Sequence, residues 1–163
     1  MKKLIYTLLI IVALTNNSFS AGNSNDNDST TKVSNYAKAK NLIKAAKKYE
    51  KKGKTEKAQK RYAKAQELLL KSNEKKPLQA DTLNYLGFTT RKLGDYIKGE
   101  EFYLQGLQIE PNHNGINEYL GELYMVTNRM DLAKERLNVL KSCNCKEYKQ
   151  LKEIINGTKK SKY

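Results

Sequence analysis

ADTLNYLGFTTRKLGDYIKGEEFYLQGLQIEPNH, residues 80–113, is the stretch on which the fold turns. The next 34 residues, NGINEYLGELYMVTNRMDLAKERLNVLKSCNCKE (114–147), follow the same plan. Leu86-Gly87 answers to Leu120-Gly121, Gly94 to Asn128, Tyr96 to Met130, Gly99 to Ala133, Tyr103 to Leu137 and Gly106 to Leu140. A fixed period in this range marks stacked supersecondary units. The residue types say how each unit is built. The large-small pair Leu86-Gly87 lets two helices approach closely, and Gly99 and Gly106 leave room on the second helix for Tyr103. Lys92-Leu93-Gly94-Asp95-Tyr96 interrupts the helical pattern with a glycine turn, and Pro111 closes the unit.

These features resemble the tetratricopeptide repeat: a Leu-Gly pair on the first helix, a small residue and an aromatic on the second, and a terminal proline. Residues 80–113 carry nearly all of them. Residues 114–147 carry most, with Leu137 for the aromatic and Cys145 where the proline would be. A more degenerate unit precedes them near 39–72. There Ala45-Ala46 stands for Leu-Gly, Tyr49 for the next core residue, Gly53 for the turn, and Ala58, Tyr62 and Ala65 for the small-aromatic-small pattern. The resemblance implies an all-α, right-handed α-solenoid of three tetratricopeptide-like helix pairs plus a C-terminal capping helix.

Apolar spacing independently predicts helices near 36–52, 55–74, 79–93, 96–109, 114–127, 130–142 and 145–156, and no strand. The last is the cap, with Tyr148, Leu151, Ile154 and Ile155 on one face and Gly157 behind it. A solenoid leaves an apolar end at its final repeat, which such a helix is placed to cover.

Outside the repeats, Lys2-Lys3, the apolar run Leu4–Leu14 and Ser18-Phe19-Ser20-Ala21 read as an export signal over 1–20, cut before Ala21. The apolar run is short for a membrane anchor. Residues 21–35 form a polar leader in which Ser34 or Asn35 can cap the first helix. The repeat domain spans 36–157, and 158–163 is a basic tail. The expectation is an exported protein, periplasmic in a Gram-negative bacterium.

Formal net charge is +14, and residues 32–77 hold 16 Lys and Arg against four Glu. Lys40, Lys44, Lys47, Lys48 and Lys51 form a basic patch on the first helix. It reads either as a solvated lysine face or as a surface for anionic lipid, polyanion or an acidic partner. Lysine far outnumbers arginine, whose fork favours specific phosphate recognition, and no nucleic-acid partner is read.

Catalytic signatures are missing. The single histidine, His113, lies in the inter-unit linker and reads as a solvated turn residue, and no phosphate loop, nucleophile elbow or zinc helix pair appears. No cofactor is called for. Cys143 and Cys145 are the only cysteines. In an exported chain a cysteine pair reads as a disulfide, with free thiols, a soft-metal site or a redox couple as alternatives. The stretch Cys143–Leu151 also resembles a C-terminal signature of bacterial exported tetratricopeptide proteins, though with closer cysteines.

The family resemblance also implies that the inner, concave face, built from the first helix of each unit, receives a peptide or helix of another protein. Its candidate residues are Asn84, Tyr85, Phe88, Arg91 and Lys92 in the second unit. Glu118, Tyr119, Glu122 and Met125 are the candidates in the third. Asp81, Gly115 and Val126 flank these two sets. Tyr85, Phe88, Tyr119 and Met125 would make an apolar floor. The competing reading packs some of these aromatics between helices, Phe88 and Tyr119 first. The reading at this level is an adaptor, with attachment to an anionic surface and a thiol-metal or redox accessory role as alternatives.

Overall fold

The computed structural model describes residues 33–161. The export signal, most of the polar leader and the last two residues of the basic tail lie outside the described residues. Seven α-helices follow one another: α1 (Asn35–Glu50), α2 (Thr55–Lys75), α3 (Ala80–Lys92), α4 (Tyr96–Ile109), α5 (Asn114–Val126), α6 (Met130–Val139) and α7 (Lys146–Ile155). Among the described residues there is no strand. The sixth helix is shorter than its apolar spacing suggested, because its last turn tightens into a 3-10 helix at Leu140–Ser142.

Local chemistry explains the boundaries. Ser34, rather than Asn35, caps α1: its hydroxyl accepts from the Ala37 N–H at 3.2 Å. Asp95 does the same for α4, accepting from the Lys98 N–H at 2.9 Å. Such caps satisfy backbone donors that the helix itself leaves open. Between paired helices the chain passes through the left-handed region, at Gly94 with φ 99° and, one period later, at Asn128 with φ 58°. Asparagine is among the few side-chain-bearing residues that take this conformation readily, so the two turns are equivalent despite the different residue.

The helices pack as pairs, α1 with α2, α3 with α4 and α5 with α6, and α7 lies on α5. Contacts of α1 with α3 and of α3 with α5 make an inner layer of first helices. This is the right-handed solenoid of three helix pairs and a cap that the repeat predicted. Its core begins with Ala39, Ile43, Ala46, Tyr62 and Leu69 and continues through Leu83, Leu86 and Phe88. Tyr103, Ile116, Leu120 and Leu123 carry it into the third repeat.

The two Leu-Gly pairs are filled by different partners. A Cβ on Gly87 would lie 2.6 Å from the Tyr103 ring of α4 and 2.9 Å from the Gly99 carbonyl oxygen. A Cβ on Gly121 would instead meet Leu151 of the cap helix at 2.5 Å. Leu137, one period after Tyr103, stays half-buried. Gly106 likewise makes room for Ile116 of the following helix, not for Tyr103. Gly99 makes room for Arg91 and the Gly87 carbonyl of α3, again not for Tyr103, so the sequence period located the close approaches and misassigned what fills three of them.

Candidate functional site

The inner layer carries every residue named for the groove, and the structure closes much of it. Asn84, Phe88, Arg91, Glu118 and Glu122 are buried, while Tyr85, Lys92, Tyr119 and Met125 are half-buried. The open apolar floor expected here is instead a packed aromatic cluster. Phe88 lies 5.0 Å from Tyr119 between ring centroids and 5.8 Å from Tyr62, and Tyr85 meets Tyr36 of α1 edge-on at 5.9 Å. Edge-on and offset geometry suits the ring quadrupoles. Tight stacking of α1, α3 and α5 brings residues of all three units into one contact set, and this closes the floor.

Beneath the rings lies a buried ion pair. Arg91 Nη2 stands 3.8 Å from Glu122 Oε2, with both side chains essentially without solvent exposure. Arg91 Nη1 donates to the Tyr119 carbonyl oxygen at 2.6 Å. The guanidinium also lies 5.7 Å from the ring centroids of Tyr103 and Tyr119. Burying a charge is costly unless it is paired and hydrogen-bonded, so this cluster is structural in the first instance. Burial pushes the Tyr103 hydroxyl well above the usual tyrosine range, and does the same to Tyr119 with help from Glu118. Both hydroxyls stay protonated at neutral pH.

Lys92 is not offered to a ligand either: its ammonium pairs with Glu50 Oε1 at 2.5 Å. Glu50 also accepts from the Tyr62 hydroxyl at 2.7 Å through its other oxygen. Burial first, and this hydrogen bond second, raise Tyr62 above the ordinary range.

The basic patch divides. Lys40, Lys44, Lys48 and Lys51 are exposed. Lys47 turns inward, contrary to the expectation that it belonged with them. Its ammonium donates to the Tyr119 hydroxyl at 3.1 Å and lies 4.3 Å from the Phe88 ring centroid. This contact orients the whole helix. Tyr36, Lys40, Lys47 and Lys51, spaced by four, seven and four residues, share one face. Because Tyr36 and Lys47 touch α3 and α5, that face looks into the concave side. Among the described residues Lys44, Lys48 and Lys51 have no ion pair. In α2 the pattern is the reverse, with Lys60 on Glu56 and both Lys64 and Lys71 on Glu67.

What stays accessible is the rim of the concave face: Tyr36, Lys40 and Lys44 from α1, and Asp81 and Tyr85 from α3. Three further features escaped the sequence reading. His113 is no solvated turn residue. Its Nδ1 accepts from the Ile116 N–H at 3.1 Å, capping α5, while Nε2 faces Asp81 Oδ1 at 3.2 Å. This arrangement puts the proton on Nε2, donating to Asp81. A histidine three residues before an apolar helical position was the available signal. The second is a cleft of about 480 Å³ between the start of α1 and the end of α2, lined by Tyr36, Lys38, Lys75, Lys76 and Gln79. It forms because α2 runs 21 residues and overshoots its partner. The third is Arg129, whose two terminal nitrogens reach both Glu100 oxygens at 2.9 and 2.6 Å and tie the second repeat to the third.

Cys143 and Cys145 are bridged at the turn into α7, with Cα atoms 5.2 Å apart. Among the described residues no cluster of three or more His, Cys, Asp or Glu could hold a metal ion. Nor is any helix there long and apolar enough to cross a membrane.

No protein-family model and no curated protein matches the chain. Solved structures do. The Yersinia enterocolitica Type III secretion translocator chaperone SycD superposes with a TM-score of 0.50 at 15% identity, covering 77% of this chain and 83% of that one. The first TPR of Spaghetti (RPAP3), bound to the HSP90 peptide SRMEEVD, gives 0.48 at 18% identity over 76% and 94%. The CopN–Scc3 complex gives 0.49 at 17% identity over 82% and 80%. At these identities the likeness to SycD is one of fold, and it agrees with the helix-pair architecture read from the period.

Proposed function

We propose that this protein is an exported, non-enzymatic adaptor whose concave rim holds an acidic segment of another protein, in the assembly of an envelope complex. The observation that carries the reading is the cationic row on α1, with Lys40 and Lys44 exposed beside the half-buried Tyr36 and Tyr85. Like charges four residues apart on a helix cost about 0.2–0.5 kcal/mol per pair. No carboxylate of the described residues offsets Lys44 or Lys48, so a partner's acidic groups would relieve that repulsion. The aromatic edges beside them supply rigid apolar contact area, the usual anchor of a protein interface. A flat anionic bilayer fits less well, because the row faces the concave side, where a planar surface cannot follow it.

The test is crosslinking in intact cells from a photoreactive residue at Lys44, followed by mass spectrometry. The expected outcome is one dominant protein partner, lost when Lys40 and Lys44 are changed to Glu and retained in Lys60→Glu. Crosslinks to lipid alone, or equal capture by both variants, would reject the reading. Recovery of the protein only in the cytoplasmic fraction, with residues 1–20 still attached, would reject its exported part.

A further inference from the structure

The bridge between Cys143 and Cys145 spans a single residue, Asn144, at the junction of the third repeat and the cap. Its position invites the explanation that it braces α7, but the packing shows that α7 is held by other means. Leu151 is fully buried in the hollow above Gly121, Ile154 is buried, and Ile155 packs on the third-repeat core. Leu140 anchors the other side of the turn, also buried. A bridge closing so short a loop removes little freedom from the unfolded chain, so its contribution falls well below the roughly 2–4 kcal/mol common for longer loops. Asn144, inside the ring, sits at φ 46°, in the left-handed region that asparagine takes readily, so the turn does not need the bridge to hold its shape.

Chemistry at the two sulfurs is favoured by the same placement. Both cysteines are only half-buried, at the end of the array. Cys145 is the N-cap residue of the ten-residue α7, and no side chain caps that end. The open first-turn N–H groups and the positive end of the helix stabilise a thiolate there. The exposed Lys141 and Lys146 add positive charge, and Glu147, 3.7 Å from the Lys146 ammonium, offsets part of it. A stabilised thiolate is the better leaving group in disulfide exchange.

We propose that Cys143 and Cys145 form a thiol–disulfide exchange site that passes its disulfide to a pair of cysteine thiols on a client protein. A client thiolate attacks Sγ of Cys143, forming a mixed disulfide and breaking the S–S bond, so that Cys145 leaves as the thiolate. The client's second thiolate then attacks its own sulfur in the mixed disulfide. The client disulfide forms and Cys143 is released. Two electrons pass from the client thiols to the Cys143–Cys145 pair, and the two client protons end on the released thiols or in water. The protein's own bridge is the oxidant, and each turnover leaves the protein as the dithiol. This site stands apart from the concave rim and does not depend on the adaptor reading.

The experiment mixes the bridged full-length protein with a synthetic peptide carrying two reduced, well-separated cysteines, then quenches with acid, alkylates and measures intact mass. The expected result is one peptide disulfide formed for each protein bridge lost, with two alkyl groups on the protein. A second peptide with one cysteine should be trapped on Cys143, as located by fragment mass spectra. The dithiol form should keep the helical circular-dichroism signal and melt close to the bridged form. The Cys143→Ser, Cys145→Ser double variant should fold and oxidise no peptide. A peptide that stays reduced beside an intact bridge overturns the proposal. So does oxidation by the double variant, or trapping on Cys145. A dithiol form or double variant that loses α7 would show a brace instead, and equally overturns it.

Discussion

The second and third repeats occupy equivalent places in the array and share a Leu-Gly pair, yet their inner helices bury opposite chemistry. Where the second repeat has Phe88, the third has Glu122; where the second has Arg91, the third has Met125. The exchange is reciprocal, and Arg91 and Glu122 meet across the boundary as a buried pair. The two glycines differ in the same spirit. Gly87 is filled from within its own repeat by Tyr103, whereas Gly121 is filled from outside by Leu151 of the cap. An internal repeat can close on itself, but the last one has no following repeat to finish its core. It depends on a helix that the repeat period does not encode.

This contrast can be broken most severely at Gly87. Gly87→Leu drives a branched side chain into the Tyr103 ring and the backbone of α4, where nothing at the centre of the array can move aside. Overpacking costs typically about 1–3 kcal/mol, and more against backbone. We expect the array to lose its cooperative melt by circular dichroism. A wild-type melt would mean that α3 and α4 are not paired as described.

Next in size is Glu122→Ala, which removes the carboxylate facing the buried Arg91 guanidinium. Loss of one partner of a buried pair costs about 3–5 kcal/mol, readable as a shift of the urea midpoint at unchanged slope. The sharper form gives each repeat what the other has. Arg91→Met combined with Glu122→Phe should recover most of that loss, because apolar replacement of a buried pair is often neutral or stabilising. A double variant as unstable as Glu122→Ala would show that the pair is needed for its charges.

Gly121→Ala should be milder than the corresponding change at Gly87. The added methyl meets the end of a flexible leucine on the terminal helix, and α7 can shift away. We expect a loss of about 1–3 kcal/mol confined to the cap. It should appear as faster amide exchange in α7 with α1–α4 unchanged. Equal acceleration across all repeats would contradict this local reading.

The smallest effect separates two lysines of one helix. Lys47→Ala removes a hydrogen bond to Tyr119 and a cation over Phe88, together worth about 1–2 kcal/mol. Lys44→Ala, on the exposed rim, should change stability by no more than about 0.5 kcal/mol. Thermal melts of the two single variants decide it, and equal shifts would place Lys47 in solvent with its neighbours.

Much of the architecture was legible because helix pairing is a local matter. The 3.6-residue spacing marks helices, and the 34-residue period marks where two of them approach. The degenerate first repeat could be found from Ala46, Gly53 and Tyr62 because small, turn and aromatic residues answer to backbone needs that recur in every unit. The candidate face was legible only as a set of positions. Asn84, Phe88, Arg91, Glu118 and Glu122 do line the inner helices, yet whether they are open depends on how far α1 closes over α3 and α5. No spacing within a single repeat reports that distance.

The sequence by itself determined the helices, their pairing, the places where glycine is required and the concentration of positive charge on the first repeat. All of these follow from residues close together in the chain. Only the tertiary structure decided that Lys47 reaches Tyr119 from 72 positions away. The same holds for the union of Arg91 with Glu122, for His113 as the cap of α5, and for Leu151 in place of Leu137 against Gly121. Each joins elements whose separation is set by the stacking of whole repeats. The physical reason is that small errors of angle and rise add from repeat to repeat, and side-chain partners are chosen at the scale of a few ångströms.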